Sequence, residues 1–280
     1  MSIVYSICIC NYNMQEHIRE SLGSVLNQLN DEFEVVVVDD GSTDGSVVML
    51  QELSRQFRNL RVFPYPRDSG RLLGCTRNLS VEHALGKYVV LHIDADDIWN
   101  DGIVEWCEKA RQLSIAMGDD VYISGKQINM VSKKMLLNFG GYRNIFYTED
   151  RDLWMRLAAQ KKLLFIEHKL FRARMKLSSG VRYRKLFKVM WNVLLNDLRT
   201  GQSVPAQLGP VFTDSCFSAK TRGLKNAAFR IVVFPVAALF AIIKGPVEDF
   251  RPTVGPLAWK IYKNNNTRTF DEWVADPSIK

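Results

Sequence analysis

Four short apolar runs organise the first hundred residues, and three of them end in acids or amides. Ile3–Cys10 alternates and stops at Asn11-Tyr12-Asn13. Phe33–Val38 is continuous and stops at Asp39-Asp40-Gly41-Ser42. Leu60–Phe63 is shorter, and Tyr88–Ile93 runs into Asp94-Ala95-Asp96-Asp97. Apolar runs of this length, rich in β-branched residues, predict strands buried in a sheet. Between them the apolar period changes. Ile18, Leu22, Val25, Leu26 and Leu29 recur at helical spacing, and Val48, Leu50, Leu53 and Phe57 do so after Asp44, a helix-capping residue type. A loop with Gly and Arg, Asp68–Gly74, leads into a third helix running to Leu85. This β-α-β-α-β-α-β order predicts a mainly parallel sheet with helices on both faces. Ligands of such sheets lie at the carboxyl ends of the strands, where Asn11, Asp39, Asp40 and Asp94 converge.

The pattern continues with a helix near Gly102–Met117, a strand near Val121–Ser124 and a turn at Phe139–Arg143. Thr148 then precedes Glu149-Asp150-Arg151-Asp152-Leu153-Trp154, a cap residue followed by acids that suit the positive end of a helix. Past Phe171 the character changes. Arg182–Leu198 is basic and amphipathic, and Ile231–Ile243 is uninterrupted apolar sequence containing Pro235. The expected division is a sheet domain over residues 1–172 and a basic, partly apolar helical extension over 173–280.

Charge sharpens that division. Residues 161–230 hold fifteen Lys and Arg against three acids, a net +12, which leaves −5 for the rest of a +7 chain. Such asymmetry points to an anionic partner. No nucleic-acid-binding motif accompanies it, so nucleic acid is not expected. A helix over the 231–243 run would be about 20 Å long, short of a bilayer core of about 30 Å. A basic amphipathic stretch beside it predicts docking on an anionic membrane surface, at the cytoplasmic face; a buried core helix is the alternative. The five Cys include no C-x-x-C pair, which reads as free thiols in a reducing compartment. The N-terminus enters strand-like sequence with no secretory leader pattern, and the chain is expected to be cytoplasmic.

Three carboxylates at the end of an apolar strand are costly without a positive partner. Two Asp one residue apart can hold a hard cation together with a diphosphate ribose. A lone D-x-D is a weak signal, and its weight comes from its surroundings. Ser6–Asn13, Val37–Asp44, Thr76-Arg77-Asn78, Gly86-Lys87-Tyr88 with Asp94-Ala95-Asp96-Asp97, and Gly140-Gly141-Tyr142 with Glu149–Trp154 stand in one order along the chain. In these stretches the chain resembles the family 2 glycosyltransferases of GT-A, Rossmann-like fold. The chain differs from that family's usual pattern at Cys10 and Asn11, and it lacks the Q-x-x-R-W motif of processive synthases.

The resemblance implies an inverting, non-processive enzyme that takes a sugar from a nucleotide-sugar donor, a UDP- or GDP-sugar, with Mg²⁺ or Mn²⁺. The acceptor would be a glycan or a lipid-linked molecule. Carried over residue by residue, Tyr12 would border the base, Asp40 would accept a hydrogen bond from it, and Asp39 would support that loop. Asp94 would face the ribose, Asp96 would bind the metal, and Asp150 would be the catalytic base. Arg67 or Arg71 could reach the diphosphate. Two other readings stay open: a polyprenyl-phosphate glycosyl synthase, whose acceptor needs no base, and a catalytically inactive membrane-bound module.

Blander roles are expected for several neighbours. Asp97 reads as a cap or loop residue, Arg77 and Asn78 as plain helix surface, and Glu149 and Asp152 as partners of the helix dipole. His92 reads as a buried, satisfied histidine and His168 as a solvated loop residue. Trp154 reads equally as core and as an acceptor platform.

Overall fold

The computed structural model describes residues 2–170 except 126, 146 and 147, then 172–174, the helical positions 191, 192, 195 and 199, and residues 235–243 and 256–280. In chain order the elements are β1 (Tyr5–Asn11), α1 (Ile18–Leu26), β2 (Phe33–Asp39), α2 (Ser46–Gln56), β3 (Leu60–Pro64), α3 (Leu73–His83), β4 (Tyr88–Leu91), β5 (Asp97–Trp99) and α4 (Ile103–Ala116). They continue with β6 (Tyr122–Ser124), β7 (Asn129–Ser132), α5 (Lys133–Asn138), α6 (Glu149–Ala159), β8 (Leu163–Ile166), β9 (Arg172–Arg174), α7 (235–243), α8 (Pro256–Asn265), β10 (Thr267–Arg268) and α9 (Phe270–Ala275).

Eight strands form one sheet in the order β10-β8-β6-β7-β4-β1-β2-β3, and β5 pairs with β9 in a separate ribbon. β1, β2, β3 and β4 run parallel, as the crossover helices require, and β7 alone opposes its neighbours. The sheet is mixed and mainly parallel, as the pattern predicts. β2 explains why its sequence is a continuous apolar run: Val35, Val36, Val37 and Val38 are all fully buried, two toward each face. Its one interior acid, Glu34, is also buried. It accepts hydrogen bonds from Ser6 Oγ at 2.6 Å, Leu85 N at 2.5 Å and Arg61 at 2.7 Å. This carboxylate ties the entry to β4 onto β1 and β2.

The chain separates into two compact units that interleave in sequence. The first holds residues 1–144, 162–176 and 265–280; the second holds 145–161 and 177–264. Composition placed 265–280 with the basic extension. In the structure these residues belong to the first unit, where β10 pairs with β8 (Thr267 opposite Phe165). α9 buries Trp273 completely, and its Nε1–H donates to Phe165 O at 3.1 Å. Thr269 and Glu272 close a capping box at the start of α9.

Of the basic stretch expected over Arg182–Leu198, only Trp191, Asn192 and Leu195 are described, all helical; the rest lies outside the described residues, as does 231–234 of the apolar run. Among the described residues no helix is long and apolar enough to cross a membrane. Among the described cysteines, Cys8, Cys10, Cys75 and Cys107, no two form a disulfide, and burial pushes the Cys8 and Cys107 thiols well up.

Candidate functional site

The register of the parallel strands builds the site. Asn11 closes β1 directly opposite Asp39, which closes β2. Asp39 is fully buried and accepts four hydrogen bonds. Asn11 Nδ2 (2.6 Å) and Ser42 Oγ donate to one oxygen, and the amides of Gly41 (3.1 Å) and Ser42 (2.9 Å) donate to the other. Four donors on one carboxylate satisfy its lone pairs and compensate its burial. Ser42 Oγ in turn receives the Asn13 amide at 2.9 Å. The expectation that Asp39 supports the loop therefore has a geometric basis. Gly41 has φ +77°, and a Cβ there would lie 2.5 Å from the Arg67 nitrogen, so only glycine fits. Asp44 does not cap α2 from the N-cap position, which Gly45 holds. It instead accepts the Ser46 amide at 3.0 Å and the Gln15 amide at 2.9 Å. Partial burial works to raise the Asp44 carboxyl, but the bonds from Ser46 and Gln15 outweigh it and hold it below the usual range.

Asp40, one residue on, is buried and gripped by two arginines. Arg71 Nε donates to one oxygen at 2.6 Å and Arg67 pairs with the other. Arg67 also lies over the half-exposed Tyr12 ring, 4.7 Å from its centroid, and Arg71 lies 5.3 Å from that of Tyr65. Cation–π contacts of this kind fix both guanidinium planes. The loop carrying the arginines is pinned by Asn144, whose side chain accepts from Leu72 N (2.9 Å) and donates to Gly70 O (2.8 Å). Tyr12, Asp40, Arg67 and Arg71 thus form one cluster. Each carboxylate oxygen has a second lone pair, so Asp40 retains accepting capacity.

A second cluster follows β4. His92 is buried with φ +69°, a conformation histidine tolerates better than most residues, and the chain turns there. Asp94, Asp96 and Asp97 then bring one carboxylate oxygen each to within 4.8 Å of one another. Three hard oxygen donors at this separation fit a divalent cation of the Mg²⁺ or Mn²⁺ type. Asp97, expected as a cap or loop residue, instead opens β5 and is fully buried, with its Oδ2 accepting from Asp94 N at 3.3 Å. Proximity in a tight turn, which spacing alone does not reveal, recruits it.

Arg77 and Asn78 correct another expectation. α3 buries Gly74, Thr76, Arg77, Ser80 and Val81, a face of mostly small or polar residues. Arg77 lies 3.5 Å from the Asp94 carboxylate and 5.8 Å from the Tyr142 ring centroid. Asn78 exchanges two bonds with the Tyr142 backbone, donating to its O at 2.8 Å and accepting from its N at 2.9 Å. Gly141, at φ +60°, leaves no room for a Cβ beside the Asn78 amide. The Thr76-Arg77-Asn78 and Gly140-Gly141-Tyr142 stretches are thus two halves of one junction. A buried polar helix face gives no apolar period, and their pairing in the resemblance was the only signal that could have found it.

Asp150 lies in the first turn of α6, in the second unit, whereas Tyr12, Asp39, Asp40, Arg71, Asp94 and Asp96 belong to the first. Thr148 holds the N-cap position of α6, but its side chain does not accept the capping bond. Asp152 does more than face the dipole: it is buried and bonds Arg156 at 2.9 Å, itself fully buried. Trp154 stacks on Trp259, with centroids 6.4 Å apart and planes 6° from parallel. His168 is half-buried rather than solvated. Its Nε2 lies 2.6 Å from Gly125 O, and its ring meets the edge of Trp106.

These features have counterparts among known proteins. The Bacillus spizizenii poly(ribitol-phosphate) beta-glucosyltransferase is 33% identical over 128 residues, 44% of this chain and 20% of that protein. An uncharacterized glycosyltransferase of Haemophilus influenzae is 32% identical over 117 residues, 40% of this chain and 35% of its own. The chain therefore spans well under half the length of these relatives. Among solved structures, the mannosyltransferase PcManGT of Pyrobaculum calidifontis, in complex with GDP-Man and Mn²⁺, shares the fold at TM-score 0.56 and 16% identity. The match covers 98% of this chain and 84% of that one. S. aureus TarS 1-349 in complex with UDP matches at TM-score 0.51 and 18% identity, covering 90% and 95%. The sequence pattern described as "Glycosyl transferase family 2" matches residues 6–158, more than half of the chain, from the second residue of β1 to the last but one of α6. With the sheet and both acidic clusters in place at its strand ends, the chain belongs to glycosyl transferase family 2.

Proposed function

We propose that the chain transfers a sugar from a UDP- or GDP-sugar to a hydroxyl of a glycan or lipid-linked acceptor. The transfer inverts the anomeric carbon, requires a divalent metal, adds one sugar per encounter and takes place at the cytoplasmic face of a membrane. The observation that carries the reading is the placement of two acidic clusters at the carboxyl ends of β2 and β4, the parallel strands on either side of β1: Asp39 and Asp40 at the end of β2, and Asp94, Asp96 and Asp97 after β4. Structural neighbours solved in complex with GDP-Man and Mn²⁺ and with UDP-GlcNAc support the same class of donor.

In this reading Tyr12 and Arg67 border the base, and Asp40 accepts a hydrogen bond from it. Asp39 holds the loop that presents Asp40. Asp94 faces the ribose, oriented by Arg77, and Arg71 is the second cation near the diphosphate. Asp96, with Asp94 and Asp97, would hold Mg²⁺ or Mn²⁺, which when bound offsets the charge that grows on the diphosphate leaving group. The acceptor hydroxyl is a poor nucleophile. Its oxygen bonds to the anomeric carbon as the bond to the diphosphate breaks, and its proton passes to the Asp150 carboxylate. A single displacement with one base inverts that carbon, and the base contributes about 10²–10⁴ in rate.

The test is nucleotide release from a panel of UDP- and GDP-sugars with Mn²⁺, Mg²⁺ or chelator, followed by two variants on the donor that responds. Asp150→Asn should lower transfer at least ~100-fold while nucleotide binding persists. Asp96→Ala should weaken metal-dependent donor binding. Wild-type turnover in both variants would refute the site assignment.

A further inference from the structure

Helix α7 is built inside out for a water-soluble surface. Its sequence, Pro235-Val236-Ala237-Ala238-Leu239-Phe240-Ala241-Ile242-Ile243, contains no polar side chain. The residues it buries are small, Ala237 and Ala241, one turn apart. The large residues point out: Ile242 is 73% exposed, Ile243 69% and Leu239 56%, with Val236 and Phe240 close behind. At 100° per residue these five cover an arc of roughly 160°, unbroken by any polar group. Exposed aliphatic residues are ordinary when scattered, but a contiguous band of this kind marks a surface that meets something apolar. Trp191 of the same unit packs edge-on against Phe240, with centroids 5.4 Å apart, and adds an indole at the margin of the band.

Charge selects the occupant. The band is flanked in sequence by Arg230 and Lys244, and residues 161–230 carry a net +12. Two copies of the chain meeting through this face would bring two such basic segments together. An anionic lipid surface instead receives both features, with the aliphatic side chains entering the acyl boundary and the basic segment lying among headgroups. Among the described residues no helix is long and apolar enough to cross a membrane, whereas an apolar helix face beside basic sequence suits the bilayer surface. We infer that the Val236–Ile243 face of α7 is a shallow insertion surface that seats the enzyme on an anionic bilayer. The inference deepens the membrane-facing part of the proposed function and rests on it only for the purpose of docking.

The experiment is cosedimentation of the full chain with vesicles of phosphatidylglycerol and phosphatidylcholine, and with vesicles of phosphatidylcholine alone, at physiological salt. No donor is present, so the result does not depend on the proposed chemistry. The wild type should sediment with the anionic vesicles and weakly or not at all with the neutral ones. The double variant Ile242→Asp/Ile243→Asp should lose at least ~10-fold in partitioning, because two inserted side chains are replaced by charges of the lipid's own sign. Ile242→Leu/Ile243→Leu should bind as the wild type does. Both substituted positions are exposed, and unchanged circular dichroism and nucleotide release show that the fold is intact. Failure of the wild type to bind anionic vesicles, equal binding by the Asp variant, or a wild-type dimer that the Asp variant dissolves would each overturn the inference.

Discussion

Asp39→Asn isolates what holds the Gly41–Ser42 turn in place. Each Asp39 oxygen accepts two hydrogen bonds, one from Asn11 Nδ2 and Ser42 Oγ together, the other from the Gly41 and Ser42 amides. An amide offers only one accepting oxygen, so two of the four bonds are lost whichever way it sits, and its NH₂ faces two donors. Hydrogen bonds to a charged group contribute about 1.5–3 kcal/mol each, which bounds the loss near ~3–6 kcal/mol. Removing a buried charge also removes its desolvation cost, which pulls the expectation to the lower end, about 3 kcal/mol. Ser42→Ala keeps the Gly41 and Ser42 amides on Asp39 but removes one bond to that carboxylate and the acceptor of the exposed Asn13 amide, and should cost about 1.5–3 kcal/mol. Equilibrium urea unfolding of the three proteins measures these differences. Calorimetric titration with UDP and GDP reads the functional consequence. A loosened Gly41–Ser42 turn no longer presents Asp40, and nucleotide affinity should fall ~10-fold, equivalent to about 1.4 kcal/mol. An Asp39→Asn protein within about 0.5 kcal/mol of wild type, the range of an inert surface change, and with unchanged nucleotide affinity, would refute the reasoning.

Two further predictions concern the frame around the site. Trp273→Ala should cost about 3–5 kcal/mol, as for other fully buried aromatics, and Trp273→Phe about 1–2 kcal/mol for the lost bond to Phe165 O; an unchanged urea midpoint for the Ala variant would remove α9 from the core. Asp119 sits at φ +57° and accepts from Tyr88 (2.7 Å), Ser114 (3.0 Å) and Lys87 (2.6 Å). Partial burial works to raise its carboxyl, but these three bonds, with the Lys87 charge, hold it below its ordinary 3.8. A depressed carboxylate contributes stability that is fully present above its unfolded value and is lost as pH falls through the folded one. Asp119→Asn, which tolerates the same φ, should therefore lower stability at neutral pH and flatten the acid limb of the stability–pH curve below about pH 4. Parallel acid limbs for variant and wild type would contradict this.

The parts of the fold legible in the sequence are those where one physical signal dominates. β1, β2 and β4 are apolar runs because parallel strands are buried on both faces, and their polar ends mark the ligand edge. Asp39, Asp40, Asp94 and Asp96 could be placed there without coordinates. β7 gave no comparable signal, since four buried residues that include Asn129 and Ser132 make too short and too polar a run. Arg77 was misjudged because a buried cation is rare without a partner, and its partner Asp94 is brought up by the crossover, not by sequence proximity. That Asp97 is buried at the start of a strand was not legible, because its placement depends on the turn back to Asp94. β10 has only two residues, yet the Thr269-x-x-Glu272 signature stands in the sequence and marks the helix that follows it.

The interleaving of the two units sets an order of assembly. β8 is made before residue 170, but the strand that covers its outer edge, β10, is made only after the whole second unit has been synthesised. During that interval the backbone groups of Phe165 and Glu167, which later bond Asn266 and Arg268, stand open along an apolar strand. An unpaired edge of that kind is a template for wrong partners. A chain stopped at residue 264 would keep both acidic clusters yet leave this edge unpaired, so protection of the sheet falls to sixteen residues, 265–280, far in sequence from both clusters.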